Sequence, residues 1–138
     1  MSAEGLLELN RSRWEHAEAA TFSICDANGG CVGDVFVNLS RKRRGSVSYW
    51  LLPEARGKGL ARRTVTLVSR WAFGELALVR LALFTEPSNR QSQRVAERSG
   101  FHREGVLRSY TEIDRRSVDN VAYSLLPSDL NNAAEVGG

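Results

Sequence analysis

The segment Tyr49–Ala61 most constrains the fold, because an apolar, β-rich run passes there through a glycine-containing turn into an amphipathic helix. Apolar positions recur at helical spacing from Leu60 to Trp71, with arginines on the other face. Gly57 and Gly59 lack Cβ atoms, so the turn can be tight and a ligand can approach the backbone. The first N–H groups of the helix then point at that ligand with the positive end of the helix dipole behind them, an arrangement that favours a phosphate.

The distribution of charge singles out the same part of the chain. The 138 residues have a formal net charge of +3. Residues 41–70 contain nine Lys/Arg and one acidic residue, a net of +8, whereas residues 1–40 carry a net of −4. Arginines and lysines in or just after the glycine turn are Arg56, Lys58, Arg62 and Arg63. A phosphorylated or polyanionic ligand is therefore expected to meet the middle of the chain.

Composition, with 42% hydrophobic and 25% charged residues, describes one globular domain with room for a single core. No apolar run reaches the roughly 18 residues that span a bilayer, and the N-terminus lacks the order of a secretory signal, so a cytoplasmic location is expected. Cys25 and Cys31 flank a turn signal; reduced thiols are expected, with a chance cross-strand pair as the alternative. His16 and His102 have no Cys or carboxylate at ligand spacing, and no metal site is expected.

The pattern of the chain predicts the element order α-β-β-β-α-β-α-β-β, an α/β mixture. An N-terminal helix is predicted over residues 1–20 of a single domain 1–138, and residues 131–138 are expected to form a flexible tail. The basic run Arg41–Arg44 falls between two strands and is interpreted as a solvated hairpin tip. After the N-terminal helix, strands are predicted at Phe22–Asp26, Cys31–Leu39, Ser46–Leu52, Leu76–Phe84, Phe101–Arg108 and Asn120–Leu126, and helices from Gly59 and over Asn89–Ser99.

Spacing distinguishes among the phosphate-binding motifs. A P-loop requires GxxxxGK before Ser or Thr, and a dinucleotide loop requires GxGxxG with a later acidic residue; Leu-Ala-Arg-Arg follows Gly59, so neither motif is met. The spacing Arg56-x-x-Gly59-x-Ala61 resembles the Gln/Arg-x-x-Gly-x-Gly/Ala pyrophosphate loop of the GNAT acetyltransferase superfamily. Asn89–Phe101 resembles that family's N-x-x-S…G-F helix. Phe101–Arg108 resembles the strand that follows it in the branch of ribosomal-protein N-terminal acetyltransferases, RimJ/RimL-like enzymes.

The resemblance covers about residues 20 to 130 and implies a mixed α/β, GNAT-like domain. Its central sheet would have about six mostly antiparallel strands, with a splayed parallel pair and flanking helices. The implied activity is an N-acetyltransferase, which moves an acetyl group from acetyl-CoA directly to a primary amine, on a protein N-terminus or a small molecule, in a ternary complex. The pantetheine arm would lie in the splay and the pyrophosphate on the turn. The implied cofactor-binding residues are Leu51, Leu52, Arg56, Gly57, Lys58, Gly59, Leu60, Ala61, Asn89 and Ser92.

The resemblance assigns the proton donor for the departing thiolate to Ser92. Many members of the superfamily place a tyrosine seven residues after the asparagine, but that position is Ala96 here. The branch's candidate base aligns with Thr111, and the neighbouring Glu112 should face the opposite side of a strand unless a bulge intervenes. Without a side-chain base, water and the proximity of the two substrates can suffice for the reaction of the amine.

Two other functions stay open from the sequence alone. Ala96 and Thr111 stand where catalytic groups are expected, so the chain could be a CoA-binding module without catalysis. The basic segment also fits a small nucleic-acid-binding domain, although no aromatic residues interleave it, and neither nucleic acid nor a membrane is expected as a partner. One helix is expected before Phe22, where the branch has an additional strand and helix. The resemblance thus implies a shortened N-terminus, which a homodimer could complete.

Overall fold

One seven-stranded sheet organises the computed structural model, which describes residues 7–9 and 19–130. The strands are β1 (Leu7–Leu9), β2 (Ala19–Cys25), β3 (Cys31–Ser40), β4 (Arg44–Leu51), β5 (Arg80–Thr85), β6 (His102–Ile113) and β7 (Arg116–Leu125). The helices are α1 (Leu60–Glu75) and α2 (Arg90–Arg98), with a 3-10 turn at Pro53–Ala55 and a helical stretch at 127–130. The order in the sheet is β1-β2-β3-β4-β5-β7-β6, and β4 and β5 form its parallel pair. The mixed α/β class and the mostly antiparallel sheet are confirmed.

The parallel pair is splayed. Strand β5 pairs with β4 at Arg44–Ser46, and no further pairing of the two strands occurs in the described part of the chain, although β4 continues to Leu51. The connection between them contains α1, which packs on one face of the sheet. The carboxyl end of β4 therefore has a partner strand on one side, β3, and a gap on the other.

The core lies between that face of the sheet and the two helices. Strand residues alternate across the sheet, so Ala20, Phe22 and Ile24 of β2 all face α1 and are buried. The Phe22 ring meets Trp71 of α1 edge-on, with 4.8 Å between ring centroids. The arginines of α1 lie on its exposed side. The predicted amphipathic helix is thus confirmed, together with the direction of its basic face.

The predicted N-terminal helix is wrong wherever the structure describes it. Leu7–Leu9 form β1, which pairs with Phe22–Ile24 at the free edge of β2, and Ala19–Ala20 already belong to β2. A run of three residues is too short for its periodicity to distinguish a helix from a strand. The free edge of β2, with which the run can pair, determines that it forms a strand. An additional strand, which the resemblance implied was missing, is therefore present. Residues 1–6, 10–18 and the expected tail 131–138 lie outside the described residues.

The hairpins of the sheet include β2–β3 and β6–β7. The turn predicted between Cys25 and Cys31 is confirmed, and the two Sγ atoms face each other at 3.3 Å across it. The β6–β7 hairpin is longer than predicted, because β6 continues to Ile113 and a tight turn at Asp114 and Arg115, both with positive φ, leads directly into β7. Most of its outer residues are polar, and its large hydrophobic residues Tyr110 and Ile113 are exposed as well, so no regular apolar pattern indicated a strand there. None of the described helices is long and apolar enough to cross a membrane.

Candidate active site

A cleft of about 440 Å³ opens where β4 separates from β5, between the start of α1 and the first turn of α2. It is lined by Tyr49, Trp50, Leu51, Arg56, Gly57, Gly59, Leu60, Ala61, Arg62, Asn89, Gln91, Ser92, Arg94, Val95 and Arg98. The fold thus brings together two segments that lie about 30 residues apart in sequence. Of the ten residues implied as cofactor contacts, Leu52 and Lys58 are not among those lining the cleft.

The glycine turn leaves backbone N–H groups exposed to this cleft. Gly57 and Gly59 have φ angles of 78° and 74°, the left-handed conformation that glycine adopts without strain. Arg63 N–H donates to the Gly59 carbonyl, so the N–H groups of residues 60–62 before it have no acceptor within the helix. Gly59 is the N-cap residue and provides no side-chain cap. This end of α1 therefore presents donors and the positive end of a 16-residue helix dipole.

The carboxyl end of β4 also presents backbone groups. Leu52 N–H donates to the Val32 carbonyl at 2.8 Å, so the adjacent Gly33–Leu51 couple is a non-hydrogen-bonded pair of the antiparallel ladder. The N–H and C=O of Leu51 consequently point away from β3 and into the gap. Arg56 Nε donates to the Leu51 carbonyl at 3.1 Å, whereas the N–H remains directed at the gap. These bonds favour Leu51, rather than Leu52, as the backbone contact for a ligand in the splay.

The first turn of α2 is fixed by two hydrogen bonds from different elements. Asn89 is the N-cap residue, and its Oδ1 accepts a hydrogen bond from the Ser92 N–H at 3.0 Å. Tyr49 Oη, on β4, donates to Ser92 Oγ at 3.4 Å. Burial raises the pKa of Tyr49, so its phenol stays protonated at neutral pH. Tyr49 was not predicted as a site residue, because nothing in the sequence connects positions 43 residues apart.

Four arginines line the cleft: Arg56, Arg62, Arg94 and Arg98. None of the described residues that line it is a carboxylate, so the cleft suits an anion. Arg94 and Arg98 were also missed. Their signal was available, because Gln91, Arg94 and Arg98 follow helical spacing and lie on one side of α2.

The basic segment predicted to surround the turn is divided in the structure. Arg41–Arg43 form the β3–β4 turn, with Lys42 and Arg43 both at φ 60°, and Arg44 begins β4; all four residues are exposed. Leu51 ends β4, so at the rise of a strand Arg44 lies about 23 Å from Leu51, at the other end of β4 from the glycine turn. The hairpin tip is confirmed. The net charge of +8 over residues 41–70 does not form a single patch, because an extended strand separates its two halves.

The candidate base is not supported by the geometry of the β6–β7 hairpin. A bulge occurs between Leu107 and Thr111, but the register from Thr111 to Glu112 is regular, so their side chains point to opposite faces. Thr111 Oγ1 accepts a hydrogen bond from the Asn120 amide at 2.8 Å. In the described part of the chain, no three His, Cys, Asp or Glu residues are placed to hold a metal ion.

Comparison with known proteins gives concordant results. The family described as Acetyltransferase (GNAT) domain matches residues 2–102. The Bacillus subtilis protein named Probable N-acetyltransferase YjcK is 36% identical over 83 residues, which are 60% of this chain and 46% of that protein. This chain therefore spans about half the length of the curated relative.

Solved structures share the fold. Ribosomal-protein-S5-alanine acetyltransferase from Vibrio fischeri has a TM-score of 0.78 and 30% identity, over 85% of this chain and 66% of that chain. Mycobacterium smegmatis RimJ, solved in complex with CoA-disulfide, has a TM-score of 0.80 and 22% identity, over 97% of this chain and 66% of that chain. The splayed sheet, the glycine turn and the family match agree: the chain belongs to the GNAT acetyltransferase family.

Proposed function

We propose that this protein is an N-acetyltransferase, which transfers an acetyl group from acetyl-CoA to a primary amine by direct attack in a ternary complex. The observation that carries the proposal is the cleft itself. An uncapped helix start, the open end of β4 and the first turn of α2 converge there. An acetyl-CoA molecule has a pyrophosphate, an amide-containing arm and a thioester, and the cleft offers a group that could bind each of them.

The binding roles follow from which donors are available. The N–H groups of residues 60–62, with Gly57 and Gly59 allowing close approach, would hold the pyrophosphate. The arginines of the cleft would neutralise its charge; Lys58, although outside the cleft lining, adds charge to the same turn. The Leu51 N–H would pair with an amide of the pantetheine arm, as a strand would in a regular sheet. Asn89 would contribute its side-chain NH₂, because its oxygen caps α2.

The chemical roles require little acid–base machinery. The amine nitrogen forms a bond to the thioester carbonyl carbon, the C–S bond breaks, and the electron pair leaves on sulfur. Ser92, the residue that the family resemblance assigned, would donate to that sulfur. A backbone N–H in the splay would stabilise the developing oxyanion, and water would take the proton from the amine. Proximity of the two bound substrates supplies most of the rate enhancement.

Isothermal titration calorimetry with acetyl-CoA tests the binding step. We expect binding at tens of micromolar or tighter, and loss of that binding in Gly59→Glu, which places a carboxylate at the phosphate position and a side chain at φ 74°. Gly74→Glu is the matched control: it adds the same charge to the exposed, opposite end of α1, where a Cβ meets no atom within 4 Å. Absence of binding, or equal binding by Gly59→Glu and the wild type, would refute the proposal.

A thiol-release screen against peptides with free N-termini, polyamines and amino sugars tests the transfer step and assigns the acceptor. Release with at least one amine is the expected result. Tight acetyl-CoA binding with no release across the panel would instead identify a CoA-binding module, the alternative that Ala96 keeps open. Whether a homodimer completes the site is tested by native mass measurement of the same sample.

A further inference from the structure

Tyr49 and Ser92 connect the two sides of the cleft. Tyr49 lies on the part of β4 that has separated from β5, on the sheet face that carries the helices, and Ser92 lies in the first turn of α2. The phenol oxygen reaches Ser92 Oγ at 3.4 Å, and both side chains are partly buried. The hydrogen bond therefore spans the gap in which the pantetheine arm is proposed to lie.

This contact determines what the serine hydroxyl can do. A serine hydroxyl has one proton to donate and two lone pairs that accept. With Tyr49 donating to one lone pair, the Ser92 proton is left to point at a different acceptor. The backbone of Ser92 is held independently by the Asn89 cap. Ser92 Oγ thus has a fixed position and a proton directed elsewhere, in a cleft that would hold a sulfur atom.

We propose that Tyr49 is a positioning residue, which orients the Ser92 hydroxyl as hydrogen-bond donor to the sulfur of CoA as the C–S bond breaks. The inference rests on the proposed function. Burial raises the pKa of Tyr49, so the phenol supplies a hydrogen bond and retains its own proton. Donation by Tyr49 polarises the Ser92 O–H and strengthens its bond to the developing thiolate. The proton lost by the amine reaches the thiolate through water, which completes the free thiol.

Steady-state kinetics of Tyr49→Phe, Ser92→Ala and the double variant test the coupling. For Tyr49→Phe we expect kcat to fall about 3- to 10-fold, the factor that one neutral hydrogen bond represents, with the KM for acetyl-CoA little changed. In the Ser92→Ala background the same substitution should have no further effect, because Tyr49 acts through Ser92. Additive losses in the double variant would overturn the proposal.

Tyr123→Phe is the matched control for a structural effect on α2. Tyr123 Oη, on β7, donates to Glu97 Oε2 at 3.2 Å, so this variant also removes a phenol bond to α2 but leaves the cleft intact. We expect kcat of Tyr123→Phe to match the wild type. An equal fall in kcat for both variants would mean that loosening of α2, and not orientation of Ser92, explains the loss.

Titration of bound CoA, followed by the ultraviolet absorbance of the thiolate, gives a readout that does not depend on turnover. Stabilisation of the thiolate by Ser92 should lower the pKa of the bound thiol, and Tyr49→Phe should raise it again. An unchanged titration in Tyr49→Phe would overturn the positioning role while leaving the proposed function intact. Failure of the wild type to bind CoA would overturn the proposed function itself.

Discussion

Replacement of Asn89 by alanine removes the side-chain oxygen that caps α2. The Ser92 N–H donates to this oxygen, Asn89 Oδ1, at 3.0 Å. It is one of the N–H groups in the first turn that have no acceptor within the helix. Loss of such a cap costs about 1 kcal/mol, within a range of roughly 0.5–2 kcal/mol. Because α2 has only nine residues, its first turn, which contains Ser92, has little other support.

The expected effect is measurable, and the variant should still fold. A loss of about 1 kcal/mol lowers Tm by about 3–5 °C in a domain of this size, and leaves most of the 5–15 kcal/mol typical of a folded domain. Chemical denaturation monitored by circular dichroism gives the free energy of unfolding directly. Ser88→Ala, one residue earlier and outside the cap, is the control and should remain within about 0.5 kcal/mol of the wild type.

Conservative substitutions separate the two roles of Asn89. Aspartate accepts the Ser92 N–H equally well and adds a favourable charge at a helix N-terminus, so Asn89→Asp should retain wild-type stability. It lacks the NH₂ group proposed to contact CoA, and calorimetry should therefore show weaker acetyl-CoA binding. The reasoning is refuted if Asn89→Ala is as stable as the wild type, or if Asn89→Asp is destabilised as much as Asn89→Ala.

Two further substitutions test the sheet that holds the cleft. An alanine Cβ at Gly33 would overlap the Trp50 carbonyl oxygen, so Gly33→Ala should lower the free energy of unfolding by at least about 2 kcal/mol and weaken acetyl-CoA binding. Gly30→Ala is the control, and it should be near neutral because a Cβ there would lie 3.5 Å from the nearest atom, an oxygen of Asp26. Hydrogen bonds from Arg80 lower the pKa of Glu104 in the folded protein. The Arg80–Glu104 pair therefore stabilises the fold fully at pH values above the carboxyl pKa of the unfolded chain. This stabilisation is lost as the pH falls through the lower carboxyl pKa of the folded protein. Both side chains are more than a third exposed, so Glu104→Gln should cost less than about 1 kcal/mol at pH 7, and a difference that persisted at about pH 2–3 would contradict this explanation.

Local signals in the sequence were sufficient for the elements around the cleft. The glycine turn after β4, the amphipathic pattern of α1 and the asparagine before α2 each act over a few residues, because φ angles, helical period and capping are properties of short segments. The resemblance to the GNAT family rested on the same segments. It implied the splay between β4 and β5, which no local pattern predicts.

The errors occurred where distant partners decide the structure. Leu7–Leu9 form a strand because the edge of β2 was available, and the outer β6–β7 hairpin forms through backbone pairing that its mostly polar sequence did not indicate. Charge summed over residues 41–70 describes one basic segment, whereas the extended β4 separates Arg41–Arg44 from the glycine turn. A net charge over a segment contains no information about the distance between its halves.

The sequence by itself determined that a glycine turn opens a basic, amphipathic helix in a mixed α/β chain. Only the tertiary structure decided which groups meet that turn: the Leu51 N–H rather than that of Leu52, two arginines of α2, and the contact between Tyr49 and Ser92. The physical reason is that strand register and helix packing, which are set by burial across the whole core, bring together positions that are dozens of residues apart.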